Sequence, residues 1–222
     1  MRAMLLAAGR GERMRPLTDH TPKPLLEAGG KALIEYHLAA LQQAGINDVI
    51  INHAWLGDQI ESRLGNGDQY GLRIEYSAEI PEALETAGGI IQALTRLGSE
   101  PFIVINGDIW CDYPLQQLPR QPEGLAHLVM VDNPPHNPQG DFCLSKGSLQ
   151  AEGETKLTYS GIGVFHPQLF AGLAPGIRPL APLLKEAMAA GQVRGEHYRG
   201  RWYDIGTPER LTGLDLQLKE QD

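Results

Sequence analysis

Leu5-Leu6-Ala7-Ala8-Gly9-Arg10-Gly11-Glu12-Arg13-Met14-Arg15-Pro16-Leu17-Thr18, followed closely by Pro22-Lys23-Pro24-Leu25, joins a short apolar strand, a glycine turn and two cations at fixed places. Residues 3–8 read as a buried strand. Gly9 and Gly11 let the next backbone N–H groups turn toward an anion without Cβ clashes. Arg13 can make forked hydrogen bonds to phosphate oxygens, and Lys23, stiffened by a proline on either side, offers a point charge. Cations so placed suit charge that builds during phosphoryl chemistry. The stretch therefore predicts a nucleoside triphosphate site in which Ala8, Gly9, Gly11, Glu12, Arg13 and Lys23 meet the nucleotide.

Two commoner glycine motifs are excluded. A P-loop needs Gly-x-x-x-x-Gly-Lys-Ser/Thr, which the chain lacks, and a dinucleotide-binding fingerprint needs a third glycine where Met14 stands. Outward from the loop, apolar runs alternate with helical patterns. A helix is expected over 32–44, ended by Gly45, then a strand over 49–52, a short helix over 58–64, an alternating strand over 72–77, a helix over 86–97 ended by Gly98, and a buried strand over 102–105. This alternation predicts an α/β fold, Rossmann-like, with a mainly parallel central sheet, helices on both faces and a ligand crevice beyond the carboxyl ends of the strands. After Asp112 prolines and glycines multiply. Strands are expected over 125–131, 142–144, 148–151 and 158–165, forming a small β-rich lid over the acceptor. Helices over 180–190 and 208–218 flank a strand-like stretch, 197–203.

The chain has 222 residues, enough for one ample core, and a single domain spanning all of it is expected. No run approaches the ~20 apolar residues of a membrane span, and no long apolar leader stands at the start, so a cytoplasmic protein is expected. Nineteen Lys and Arg against 27 Asp and Glu leave a formal charge of −8, which disfavours nucleic acid and anionic membranes as partners. Cys111 and Cys143 lack zinc spacing, the seven histidines are scattered, and both sets read as structural or exposed. Trp55, Trp110, Trp202 and Tyr203 read as core packing.

The opening motif, with Leu84-Glu85-Thr86-Ala87-Gly88-Gly89, Ile105-Asn106-Gly107-Asp108, Ser160-Gly161-Ile162-Gly163-Val164-Phe165 and Trp202-Tyr203-Asp204-Ile205-Gly206-Thr207-Pro208, resembles the sugar-1-phosphate nucleotidylyltransferases, in the family's order and over most of the chain. Within the family the compact length, Gly-Glu-Arg-Met and residues 133–142 are most similar to the bacterial uridylyltransferases of cell-wall recycling. The resemblance implies UTP and a sugar 1-phosphate, N-acetylmuramate α-1-phosphate, as substrates. Another nucleotide or acceptor (glucose, mannose or N-acetylglucosamine 1-phosphate, or phosphocholine) would use the same groups. No hexapeptide array follows, so the acyltransferase β-helix of some members is not expected.

A sugar 1-phosphate is already a nucleophile at neutral pH, since the second pKa of a phosphate monoester is ~6. No general base is needed, and positioning and positive charge supply the catalysis. Arg13 is expected on the β and γ phosphates and Lys23 on the α-phosphate, both catalytic. Asp108 and Asp204, each after an apolar strand and beside a glycine turn, are the expected ligands of Mg²⁺, which takes one or two carboxylates plus phosphates. The residue before Arg13 is commonly a small hydroxyl residue in the family. Here Glu12 is expected to turn outward or pair with Arg10 or Arg15, leaving only its N–H toward phosphate. Ala8 and Gly88 would let backbone approach a pyrimidine, although Gly88-Gly89 equally suits a helix start. By resemblance, Asn106, Gly140, Glu154 and Lys156 would hold the sugar phosphate. No obligate protein partner is expected, and a monomer suffices. A glycosyltransferase is disfavoured by the missing Asp-x-Asp, and a non-catalytic nucleotide-sugar sensor would keep the binding groups without releasing pyrophosphate.

Overall fold

The computed structural model of the protein describes residues 1–220. In chain order its principal elements are β1 (Ala3–Leu6), β2 (Glu27–Ala28), β3 (Lys31–Ala32), α1 (Leu33–Gln43), β4 (Asp48–His53), α2 (Gly57–Leu64), β5 (Arg73–Ala78), α3 (Glu85–Leu97), β6 (Phe102–Asn106), β7 (Ile109–Cys111), β8 (Ala126–Val131), β9 (Phe142–Ser145), β10 (Ser148–Gln150), β11 (Lys156–Phe165), α4 (Leu180–Ala189), β12 (Val193–His197), β13 (Trp202–Asp204) and α5 (Pro208–Lys219). Nine strands form one sheet in the order β5-β4-β1-β6-β11-β8-β12-β10-β9. Among the described residues, no helix is long and apolar enough to cross a membrane.

The first half is the parallel sheet that the alternation predicts. β5, β4, β1 and β6 run parallel, with Leu5 opposite Ile51 on one side and Ile105 on the other. The period of two splits these strands between two cores. Ala3, Leu5, Val49, Ile51, Ile103 and Ile105 join Leu38 and Leu41 of α1, whereas Met4, Ile50, Phe102 and Val104 join Ile90, Ala93 and Leu97 of α3. Each Val, Leu, Ile, Met or Phe side chain among them taken fully out of water contributes about 1.5–3 kcal/mol, so a one-residue slip in any strand is excluded.

The second half departs from the expectation. β11 pairs antiparallel with β6 and with β8, so the sheet is mixed rather than mainly parallel. No crossover helix separates β6 from β11, and without one the chain returns antiparallel. The strands expected as an acceptor lid are therefore part of the main sheet. β11 is bulged between Tyr159 and Gly163. Its start pairs with β9 and its end with β6, and β9 also closes a ring of pairings through β10, β12 and β8. The strand expected over 197–203 is two pieces. His197 ends β12, which runs parallel to β8, whereas Trp202–Asp204 forms β13 and pairs with β7, a three-residue strand too short to read in the sequence.

A third core lies beneath the site. Met14, Leu26, Ala28, Leu33, Trp110, Ile205, Leu211 and Leu214 tie the glycine loop to the β2–β3 hairpin, to β7 and to α5. Trp110 packs edge-on to Tyr36 and tilted to Tyr203, with ring centroids 6.3 and 5.8 Å apart, in line with the packing role expected for these rings.

Candidate active site

A cavity of about 460 Å³ opens at the carboxyl ends of β1, β4 and β6, where the parallel strands hand over to loops. Ala7, Ala8, Gly9, Gly11, Glu12 and Arg13 form one wall. Gly11 has φ +67°, and a Cβ there would lie 3.0 Å from Thr18 Cγ2 and 3.2 Å from Lys23 Cβ. The Thr18 hydroxyl donates to the Gly11 carbonyl at 2.8 Å, closing the loop on itself. At Gly9, which also lines the cavity, a Cβ would meet no protein atom within 4 Å.

The three arginines of the loop divide their tasks. Arg10 lies 3.6 Å over the Trp55 ring, donates to the Thr18 carbonyl at 2.9 Å and approaches Asp19; Arg15 meets Asp19 at 3.2 Å. Arg13 lines the cavity, and no ion pair holds it among the described residues. Asp19, rather than Glu12, is the partner of Arg10 and Arg15. Glu12 itself lines the cavity, so the expected pairing does not form and its carboxylate is not drawn out by either arginine. Trp55, 37% exposed, braces this loop and is not core.

Lys23 is 7% exposed, and its Nζ lies 2.8 Å from Asp108 Oδ2. Asp108 follows β6 and precedes β7, and the β7–β13 ladder brings Asp204 beside it: Asp204 is in register with Ile109, and the Ile205 N–H donates to the Asp108 carbonyl at 2.9 Å. Asp204 Oδ2 accepts from Arg210 at 2.9 Å and meets His136 Nε2 at 2.8 Å. Thr207 caps α5 with Pro208 in its first turn, which sets Arg210 at that distance. Gly206 lines the cavity between these groups: a Cβ there would lie 3.2 Å from Asp204 Oδ1 and 3.4 Å from Arg13 Nη2. Both aspartates are thus neutralised by cations. Among the described residues no three His, Cys, Asp or Glu side chains converge as a preformed metal cage. Mg²⁺ needs no such cage, because it keeps waters and combines one or two carboxylates with phosphate oxygens.

Behind Asp108, His37 of α1 is fully enclosed and hydrogen-bonds the Ile109 backbone. Burial pulls its pKa down to about 4, and its Nε2 has no partner. Cys111 is a free thiol that burial pushes up to about 12, and Cys143 is also free.

The sequence reading missed two residues of the far wall, Asn52 and Glu79. The Ala7 N–H donates to Asn52 Oδ1 at 2.8 Å, Asn52 Nδ2 to Glu79 Oε1 at 2.6 Å, and the Leu84 N–H to Glu79 Oε2 at 2.6 Å. Asn52 and Glu79 are 3% and 2% exposed and line the cavity with Glu85 and Thr86. A polar residue closing an otherwise apolar run, Val-Ile-Ile-Asn, was the available signal for Asn52; Glu79 carried none. His136 was also missed, as one of the scattered histidines.

Gly88 faces elsewhere. A Cβ there would lie 2.3 Å from the Gly176 carbonyl oxygen, and the Ala87 and Gly88 N–H groups both donate to the Arg178 carbonyl, so this glycine admits a packed loop at the start of α3, not a base. Of the four acceptor candidates only Asn106 lines the cavity, seated against Gly161, where a Cβ would come within 2.8 Å of its Cγ. Gly140, at φ +64°, packs against Asn133 and the Lys156 carbonyl; Lys156 pairs with Glu152 at 3.2 Å; Glu154 is exposed on the neighbouring loop. These three lie outside the cavity.

Comparison with known proteins agrees with this geometry. The nucleotidyl transferase family matches residues 2–146. The N-acetylmuramate alpha-1-phosphate uridylyltransferase of Neisseria meningitidis serogroup B is 51% identical over 95% of both chains, and that of Caulobacter vibrioides 35% identical over 98% of this chain and 97% of its own. A Bacillus anthracis protein crystallised with sucrose, and provisionally assigned as a glucose-1-phosphate thymidylyltransferase, shares the fold with a TM-score of 0.86 at 21% identity, over 99% of this chain and 96% of the other. With a glycine loop, a proline-flanked lysine and a strand-end aspartate meeting in one crevice, and with relatives matching nearly end to end, the chain belongs to the nucleotidyl transferase family.

Proposed function

We propose that the protein transfers UMP from UTP to N-acetylmuramate α-1-phosphate, giving UDP-N-acetylmuramate and pyrophosphate, as a step of cell-wall recycling in the cytoplasm. The observation that carries the reaction class is the meeting of Arg13, Lys23 and Asp108 over one glycine loop. Near-full-length similarity to the Neisseria enzyme supports the substrates.

In this reading a phosphate oxygen of the sugar 1-phosphate attacks the α-phosphorus, and the bond from that phosphorus to the oxygen bridging to the β-phosphate breaks, releasing pyrophosphate. The attacking dianion needs no base. Lys23, held rigidly between prolines, meets the charge that gathers at the α-phosphate, and Arg13 takes that of the departing pyrophosphate. Asp108 and Asp204 would hold Mg²⁺, which when bound offsets the phosphate charge that keeps the two substrates apart. The protein's own share is to exchange the Lys23–Asp108 and Arg210–Asp204 contacts for contacts with the phosphates.

Base choice falls to the far wall. Glu79 offers an acceptor beside the Glu85 and Thr86 amides, which as helix-start groups have no intrahelical acceptor, the next two being taken by the Arg178 carbonyl. An acceptor beside a donor complements uracil N3–H beside C4=O and disfavours cytosine, whose N3 accepts.

The test is pyrophosphate release with Mg²⁺ across four nucleoside triphosphates and several sugar 1-phosphates. UTP with N-acetylmuramate α-1-phosphate is expected to lead. Dominance of another pair would keep the mechanism and overturn the substrates, and silence across the matrix, with binding retained, would point to a sensor.

A further inference from the structure

Three described non-glycine residues have left-handed backbone, Leu56, Glu85 and Lys146, and of these only Glu85, at φ +59°, lines the cavity. A side chain with a Cβ is disfavoured at such a φ, and glutamate lacks the local hydrogen bonding that lets asparagine tolerate it. Glycine would hold the same turn without strain. No contact within the protein compensates: Glu85 is exposed, and among the described residues neither a hydrogen bond nor an ion pair engages its carboxylate. A strained, unpartnered side chain in a cavity wall points to what enters the cavity.

Glu85 belongs to the base end. Thr86 follows it, and the Leu84 N–H that precedes it donates to Glu79, so Glu79 and the first turn of α3 form one unit. That unit reads an N–H beside a carbonyl. Guanine presents the same edge, N1–H next to C6=O, as uracil does with N3–H next to C4=O. Hydrogen bonding at Glu79 therefore cannot separate UTP from GTP; the number of rings can.

We propose that Glu85 is a specificity residue: its side chain narrows the base end of the cavity to a single ring, and the left-handed strain is the cost of carrying a side chain there. The proposal rests on the uridylyltransferase reading above. Size, rather than charge, does the excluding, because a carboxylate would attract the amino group of guanine.

Four proteins test it by pyrophosphate release with UTP and GTP: the wild type, Glu85→Gly, Glu85→Ala and Glu85→Gln. The wild type is expected to prefer UTP. Glu85→Gly and Glu85→Ala should each raise GTP relative to UTP in kcat/KM by about tenfold or more, the range a pocket gains or loses with a few carbons. Glu85→Gln, which keeps the volume, should retain the preference. Thermal unfolding separates a gate from damage: Glu85→Gly should unfold no earlier than the wild type, and GTP should protect it against heat where it does not protect the wild type. Unchanged selectivity in Glu85→Gly, lost selectivity in Glu85→Gln, or a wild type that accepts GTP equally would overturn the gate. A wild type inert with UTP would instead overturn the reading on which the gate rests.

Discussion

Replacing Lys23 by Met keeps the length and apolar stem of the side chain and removes the charge. In the folded protein Nζ is 2.8 Å from Asp108 Oδ2, with the two side chains 9% and 42% exposed. Coulomb's law at an effective dielectric of about 20 gives roughly 6 kcal/mol of gross attraction at that distance. Little of this is net stability. Asp108 is more than a third in water, and half-exposed pairs are worth about 0–1 kcal/mol after desolvation and screening. The variant should lose at most about 1 kcal/mol, a fall of roughly 2–4 °C in Tm for a chain of this size. Activity should fall far more. A fixed donor aimed at developing charge in a water-poor site is worth about 10²–10³ in kcat. The freed Asp108 no longer has a competing cation, so the Mg²⁺ concentration giving half-maximal residual activity should stay level or drop. Pyrophosphate release at saturating UTP and acceptor, with a thermal melt of the same preparation, reads both effects. A kcat within about threefold of the wild type would refute the role given to Lys23, and a large loss of Tm would mean that the pair is structural.

Glu79→Gln places an amide NH₂ against one of two donors, Asn52 Nδ2 or the Leu84 N–H, each now 2.6 Å from a carboxylate oxygen. Losing one charge-assisted hydrogen bond, about 1.5–3 kcal/mol, should lower kcat/KM for UTP roughly 10–100-fold and improve CTP relative to UTP; an unchanged UTP-to-CTP ratio would exclude Glu79 from base reading. His37 titrates near 4 in the fold against an ordinary 6.5, so between those values the unfolded state binds the extra proton and stability falls as the pH drops from 6.5 toward 4. The full loss is about 3 kcal/mol, and His37→Leu should flatten that part of the urea-unfolding profile against pH. Phe165→Ala, at a side chain with no exposure packed between Phe102 and Phe170, should cost about 3–5 kcal/mol without altering KM for UTP.

What residues 1–106 do was legible because the signals are local. Apolar runs bounded by glycine mark β1, β4 and β6, the 3.6-residue period marks α1 and α3, and the loop from Gly9 to Lys23 carries its own chemistry in consecutive residues. The direction of β11 was not legible, because the residue pattern of a strand reads the same whether its neighbour runs with it or against it. Gly88 stayed ambiguous between a base contact and a helix start for a related reason: a glycine records that something approaches closely, and only the fold shows the Gly176 carbonyl there. Lys23 and Asp108 were each recognisable as charges suited to phosphate and metal, but their 2.8 Å contact spans 85 positions of chain. Asp204 stands beside Asp108 only through the ladder of two three-residue strands. The amino-acid sequence thus determined which elements form and which groups carry chemistry, since both follow from neighbours along the chain. The tertiary structure decided which of those groups meet, since that depends on strand pairing and core packing between residues far apart in the chain.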